Sequence, residues 1–202
     1  MAPIEILAPA GGPAQARAAI LNGADAIYLG AKQFSARSGA QNFDEGELGR
    51  TVDDCHGRGV KVYLALNTLL RQSELPRALE VVRQAHRAGI DALIVQDLGL
   101  VSLVRQAFPD LPLHGSTQMS IHSPAGRPGN RGDCAGPCRL PFCAVSSPEE
   151  AAALPGGAKD RYDLSLKDLC GIDHLPQLQA LGVASVKIEG RLKRPEYVGQ
   201  VT

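Results

Sequence analysis

The sequence predicts an α/β protein built from TIM-barrel-like parallel βα units that form an incomplete barrel. Three observations lead to this fold class. Helical stretches alternate with short apolar runs that show no in–out alternation, the pattern of strands covered on both faces. The clearest helices each close on a glycine before the next run begins. No G-x-G-x-x-G fingerprint occurs, which favours a barrel over a doubly wound sheet. A complete eight-stranded barrel takes about 250 residues, and this chain has 202.

Taken in order, Ile4–Ala8 reads as a first strand and Ala14–Asn22 as a helix. The run Gly23-Ala-Asp-Ala-Ile-Tyr-Leu-Gly30 reads as a turn and a buried strand. Asp44 followed by Glu47 marks a helix start of the capping-box type, and Lys61–Leu66 is the next strand. Ser73 with Pro76 in the first turn is expected to open the helix that runs over Leu75–Ala88. Gly89-Ile-Asp-Ala-Leu-Ile-Val-Gln96 repeats the turn-and-strand pattern, and Leu111–Gly115 and Tyr162–Leu166 are further strand candidates. Near the end, Leu175–Leu181 leads into Gly182-Val-Ala-Ser-Val-Lys-Ile-Glu-Gly190. The expectation is about seven parallel strands in one domain over residues 1–202.

Composition sets the class and little else. Hydrophobic residues make up 44% and charged residues 21%, as in ordinary globular proteins. Lys+Arg and Asp+Glu balance at 21 each, so no global field selects a nucleic-acid or membrane partner. Positive charge is local: Arg127, Arg131 and Arg139 in one place, and Arg191, Lys193 and Arg194 in another. Such runs are often no more than a solvated face. No secretory signal and no membrane-spanning run is visible. Five cysteines without framework spacing argue for a reducing compartment, so a cytoplasmic location is expected. Oligomeric state is not legible.

The βα rhythm breaks between Ser120 and Asp160, where Gly, Pro, Arg and Cys replace it. The loop of residues 127–143 carries Cys134, Cys138 and Cys143, and Cys170 ends the next strand-like run. Thiols crowded into an Arg/Gly/Pro-rich loop form no amphipathic face. As thiolates they are soft ligands for zinc or an iron–sulfur cluster. Cys134, Cys138 and Cys170 are the candidate metal ligands. Cys143, beside Phe142, and Cys55, in a helix, fit core packing better. Paired C-x2-C knuckles of zinc ribbons are absent, and so is C-x3-C-x2-C, so spacing leaves the metal open.

Polar residues gather just after the strands. Arg37, Asn67, Gln96, Gln118, Lys167, Lys187, Glu189 and Arg191 all fall where parallel strands end, the side on which barrel active sites lie. Helix capping accounts for Asp97 and Asp168, but not for Asn67, Gln118 or Lys187. These eight residues, with Arg131 beside the cysteine loop, are the candidate substrate-binding set.

Several runs carry a resemblance. Glu5-Ile-Leu-Ala-Pro-Ala-Gly11, Gly23–Gly30, Phe34-Ser-Ala-Arg37, Leu66-Asn-Thr-Leu69, Val95-Gln-Asp-Leu-Gly99 and Ser116-Thr-Gln-Met119 come first. Asn130-Arg-Gly with Cys134, Pro137-Cys-Arg139, Ser165-Leu-Lys-Asp-Leu169 and Lys187-Ile-Glu-Gly-Arg191 follow in order. Together they resemble the collagenase-like peptidase family U32. The resemblance implies a barrel, often followed by a C-terminal domain, which is expected to be absent here. It also implies a [4Fe–4S] cluster and prephenate-linked hydroxylation of a base in tRNA or rRNA, or of a quinone ring. The collagenase-like endopeptidase activity that named the family, with a peptide substrate, is the alternative, and a non-catalytic remnant is a second. No G-x-S-x-G or H-E-x-x-H motif supports a peptidase. One departure stands out. Family members carry a long central segment with a cysteine pair between the Ser-Thr-Gln-Met and Asn-Arg-Gly runs. Here Ile121–Gly126 passes directly to Arg127-Pro-Gly-Asn130, so the expected cluster keeps an incomplete ligand set.

Overall fold

The computed structural model describes residues 3–119 and 170–202. Six strands, β1 (Glu5–Ala10), β2 (Ala26–Gly30), β3 (Lys61–Leu66), β4 (Ala92–Val95), β5 (Leu113–Gly115) and β6 (Ser185–Lys187), form one sheet. Every pairing is parallel, and the order is β5-β4-β3-β2-β1-β6. Strands that follow one another in sequence are neighbours in space, and the last strand returns beside the first. That is barrel order. Among the described residues the ring stays open between β5 and β6 and forms an incomplete barrel. Six strands are described rather than seven, because the candidate Tyr162–Leu166 lies outside the described residues.

The helices are α1 (Pro13–Leu21), α2 (Glu45–His56), α3 (Leu75–Arg87), α4 (Leu98–Ala107), α5 (Leu175–Ala180) and α6 (Pro195–Val201). On one sheet face Ile27, Leu29, Val62, Leu64, Leu66, Leu93 and Val95 pack with residues from α1 to α4 and α6. Leu7, Ala26, Tyr28, Tyr63, Ala65, Ala92 and Ile94 form a separate cluster on the other face. Register puts these in common rows, with Tyr28 opposite Tyr63 and Tyr63 opposite Ala92. A doubly wound sheet would carry helices on both faces; here the described helices that pack on the sheet cover a single face, as in a barrel wall.

Local chemistry explains the element ends. Asp44 Oδ1 accepts from the Glu47 N–H at 2.8 Å and Glu47 Oε2 accepts from the Asp44 N–H at 3.1 Å, completing the capping box. Asp97 accepts from the Leu100 N–H at 2.9 Å to cap α4. Gly23, Gly89 and Gly182 hold φ of +95°, +89° and +77°, the left-handed turn that leads from each helix toward a strand. Ser73 does not start α3. It sits in a 3-10 turn, Gln72–Glu74, where Glu74 Oε2 accepts from the Arg71 N–H at 2.7 Å, and the α-helix begins at Leu75.

Two compact units divide the chain, Met1–Asp133 with Gln179–Thr202, and Cys134–Leu178. The sheet belongs to the first. Of the second, residues 170–178 are described. They hold the exposed Cys170, the 3-10 turn Ile172–His174, and His174 Nδ1 3.2 Å from Gln177 Oε1.

Candidate functional site at the C-terminal ends of the strands

Two cations lie over one aromatic ring where the strands end, and the charge of a third, Arg37, is felt there. Tyr28 is the third residue of β2 and buried. The Lys187 ammonium, on the last residue of β6, lies 4.4 Å from the Tyr28 ring centre, and the Arg191 guanidinium 5.5 Å away. Tyr28 donates its hydroxyl to the Ile188 carbonyl at 2.9 Å, which fixes the ring beneath the β6 turn, and Glu189 Oε2 lies 3.4 Å from it. Burial and the Glu189 carboxylate push the Tyr28 hydroxyl well above its ordinary range, so it stays protonated. Lys187 also pairs with Glu189 Oε1 at 3.4 Å, but that carboxylate is 60% exposed.

The electrostatics are unbalanced. Burial lowers the Lys187 ammonium below its ordinary value, and the Arg191 and Arg37 charges add to the effect against Glu189. Burial lowers Arg191 as well, with Arg37 again contributing. Arg37 is half-buried, and its Nη1 is enclosed with no hydrogen-bond partner among the described residues. Among the described residues, three neighbouring cations therefore share one partly solvated carboxylate. Desolvated like charges destabilise a fold unless something compensates them. An anion between them would do so.

The surrounding residues hold this arrangement in place. Arg191, only 6% exposed, donates from Nη1 to Ser35 Oγ at 3.0 Å. Asn67, directly after β3, accepts from the Ala36 N–H at 3.1 Å and donates to Ser116 Oγ at 3.3 Å. It thereby braces the loop after β2 against the one after β5. Asn42, at φ +54°, donates Nδ2 to the carbonyls of Arg37 and Ala40 at 3.0 and 3.2 Å, leaving Oδ1 buried and without a partner among the described residues. Phe34, also left-handed at φ +59°, opens the same loop. A bulky residue there is strained; the loop is pinned by Asn67 and by Thr68 Oγ1, which donates to the Phe34 carbonyl at 3.3 Å.

Gly30 explains the packing. A Cβ there would come within 2.5 Å of Ser35 Oγ, 2.6 Å of Asn42 Oδ1 and 2.7 Å of Arg191 Nη1. At Gly11 a Cβ would sit 1.8 Å from the Arg191 carbonyl oxygen. The β6 turn thus lies directly on the backbone of β1 and β2, an approach only glycine permits.

Of the residues expected from sequence, Arg37, Lys187, Glu189 and Arg191 come together around Tyr28. Asn67 is adjacent, but both ends of its amide serve the loops. Gln96, 1% exposed, donates Nε2 to the Gln118 carbonyl at 3.3 Å, and the Gln118 N–H donates to Ser116 Oγ at 3.1 Å. Gln118 is therefore engaged through its main chain. Arg131, Lys167, Cys134 and Cys138 lie outside the described residues. Tyr28 and Ser116 are additions. Tyr28 reads as another core residue in an unbroken apolar run, so only its place on the sheet face opposite the helices distinguishes it.

At the other ends of the strands, Glu5 forms a clamp. Its Oε2 accepts from Tyr63 at 2.8 Å and pairs with Lys61 at 3.3 Å, while Oε1 accepts from Ser185 at 3.0 Å. Burial alone would raise this carboxyl, but the donors outweigh it and hold it below 4.5. The clamp joins β1, β3 and β6 and so anchors the strand that presents Lys187.

Comparison with known sequences now bears on the site. The sequence model of peptidase family U32 matches residues 11–126 and 122–202. The chain belongs to peptidase family U32. A 23S rRNA 5-hydroxycytidine synthase of Escherichia coli is 31% identical over 98% of this chain and 38% of its own length. The tRNA hydroxylation protein P1 of Bacillus subtilis is 25% identical over 98% of this chain and 61% of its own length. A collagenase of Porphyromonas gingivalis is 25% identical over 96% of this chain and 62% of its own length. The chain spans less than two thirds of each of these relatives. The two family matches meet at residues 122–126, where the chain passes directly from the Ser-Thr-Gln-Met run toward Asn-Arg-Gly. The alignment to the E. coli relative runs over 257 residues, more than this chain contains, so that relative carries positions with no counterpart here.

Proposed function

We propose that this chain takes part in hydroxylating a base of transfer or ribosomal RNA, with the cations around Tyr28 holding an anionic group of the substrate or co-substrate. The observation that carries this reading is the group of Arg37, Lys187 and Arg191, in which burial desolvates Lys187 and Arg191, and Glu189 is the one carboxylate beside them among the described residues. RNA supplies phosphates in quantity, and prephenate-linked chemistry, if used, would bring carboxylates to the same cations. Tyr28 and Glu189 orient the ammonium, Ser35 orients the guanidinium, and the strained loop after β2 presents Arg37. An RNA substrate would place the protein in the cytoplasm; among the described residues no helix is long and apolar enough to cross a membrane.

The [4Fe–4S] cluster implied by the family remains a proposal for Cys134, Cys138 and Cys170. Among the described residues no group of three His, Cys, Asp or Glu side chains is placed to hold a metal, and Cys170 is a single exposed thiol. The described residues therefore do not assemble the ligand set, and no step here runs through it. The peptidase alternative has less support, since several relatives are named for RNA hydroxylation. The thiols it would use, Cys134 or Cys138, lie outside the described residues; Cys55 is fully buried, and burial pushes its thiol up to about 12, too high for a nucleophile. His114 stacks edge-on with Tyr63, and His174 faces Gln177.

The test is binding and product analysis with the full chain. RNA oligonucleotides should bind the wild type, and Lys187→Ala or Arg37→Ala should weaken binding by roughly tenfold each, the loss of one charge-assisted contact. Expressed in cells lacking a hydroxylating relative, the wild type should restore one added oxygen on an RNA base by nucleoside mass spectrometry. Cleavage of a collagen peptide without any RNA binding would reverse the order of the two readings.

A further inference from the structure

The turn that sends Arg191 inward sends its neighbours outward. Lys193 N–H donates to the Gly190 carbonyl at 2.8 Å, closing a tight turn. Arg191 is buried in the cation group, while Leu192, Lys193 and Arg194 are exposed, Leu192 by 58%. The Lys193 ammonium lies 5.1 Å from the centre of the Tyr197 ring, and Tyr197 itself packs on the Gly190 backbone. Leu192, Lys193, Arg194, Glu196, Tyr197 and Gln200 line an open surface cleft. Its acid, Glu196, makes no ion pair among the described residues, and neither does Arg194.

This surface is held rigidly against the site. The Arg191 carbonyl rests on Gly11, and Gln15 Nε2 donates to the Lys193 carbonyl at 3.1 Å, fixing the turn to α1. Two exposed cations, an apolar side chain and an aromatic-backed cleft thus stand one to three residues from a cation that faces the strand ends. A macromolecule inserting one unit at those ends must leave its flanking chain on the surface outside. For single-stranded nucleic acid that flank is a run of phosphates with splayed bases, matched by cations beside apolar surface.

We infer that Leu192, Lys193 and Arg194 form a ledge for the single-stranded RNA backbone flanking the base that enters the site, with the phosphates on Lys193 and Arg194 and a base or ribose against Leu192. This rests on the RNA reading above, and its test separates the two. A fluorescein-labelled 12-nucleotide single-stranded RNA is titrated into the full-length wild type and into Lys193→Ala/Arg194→Ala across a salt series, with melting curves confirming the fold. The double variant should bind about tenfold more weakly, and its salt slope should fall by roughly 1.4, two contacts at ~0.7 each for a single strand. Leu192→Ala should weaken binding without altering the slope. Wild-type binding with affinity and slope unchanged in the double variant would overturn the ledge and leave the RNA reading standing. The same holds if binding is lost only when Arg37 or Lys187 is replaced. Failure of the wild type to bind any RNA would remove both, and tight binding to an acidic protein in place of RNA would reassign the ledge.

Discussion

Replacing Gly30 with alanine tests the site's packing directly. The added methyl would lie 2.5 to 2.7 Å from Ser35 Oγ, Asn42 Oδ1 and Arg191 Nη1, closer than real contacts allow. Those side chains are 7%, 2% and 6% exposed and have little room to retreat. Gly30 sits in a strand and is not left-handed, so alanine carries no backbone penalty there. Displacing the Arg191–Ser35 hydrogen bond costs about 1.5–3 kcal/mol for a charged donor. Overpacking adds about 1–3 kcal/mol, partly through the same displacement. Restricting the unfolded chain returns about 0.4–1 kcal/mol. The net loss should be on the order of 2–4 kcal/mol, a Tm fall of roughly 5–15 °C for a chain of this size. Gly49→Ala is the control: it lies in α2 and a Cβ there meets nothing within 4 Å, so it should stabilise by about 0.5–1 kcal/mol. Calorimetric melts and RNA titrations read both variants. A Gly30→Ala protein that melts with the wild type and binds RNA equally would show that the convergence on Gly30 does not shape the site.

Three further outcomes are expected. Because burial lowers the Lys187 ammonium, its charge is lost as pH rises through a value below the usual 10.5; anion binding should decline there, and Lys187→Arg should shift the decline upward, while a profile flat to that pH would count against Lys187 as a contact. Glu5 is held below 4.5, so its stabilisation is present at neutral pH and disappears as pH falls through the folded value; Glu5→Gln should destabilise at pH 7 and converge with the wild type in acid, as urea titrations at several pH values would reveal. After anaerobic reconstitution the wild type should bind substoichiometric iron, Cys134→Ala and Cys170→Ala should each lose it, and Cys55→Ala, whose thiol is buried in α2, should retain it; equal iron in all four would exclude these thiols as ligands.

The sequence by itself determined the βα units and their direction. Lys61–Leu66 appears at its expected bounds, the Asp44–Glu47 capping box forms, and Gly23, Gly89 and Gly182 take the left-handed turns. These features depend on contacts within a few residues, so local patterning suffices to specify them. It also located Arg37, Lys187, Glu189 and Arg191 at the strand ends, because polar residues follow directly on the apolar runs there. The start of α3 at Leu75 was read correctly, but Ser73 is not its signal, because Glu74 satisfies the turn before it. What only the tertiary structure decided is which groups meet. Ser35 and Arg191 lie 156 residues apart, and Tyr28 and Ile188 160 apart. Both contacts exist because β6 pairs with β1, which pairs with β2. That pairing joins strands from opposite ends of the chain, and no local pattern around Tyr28 or Ser35 records it.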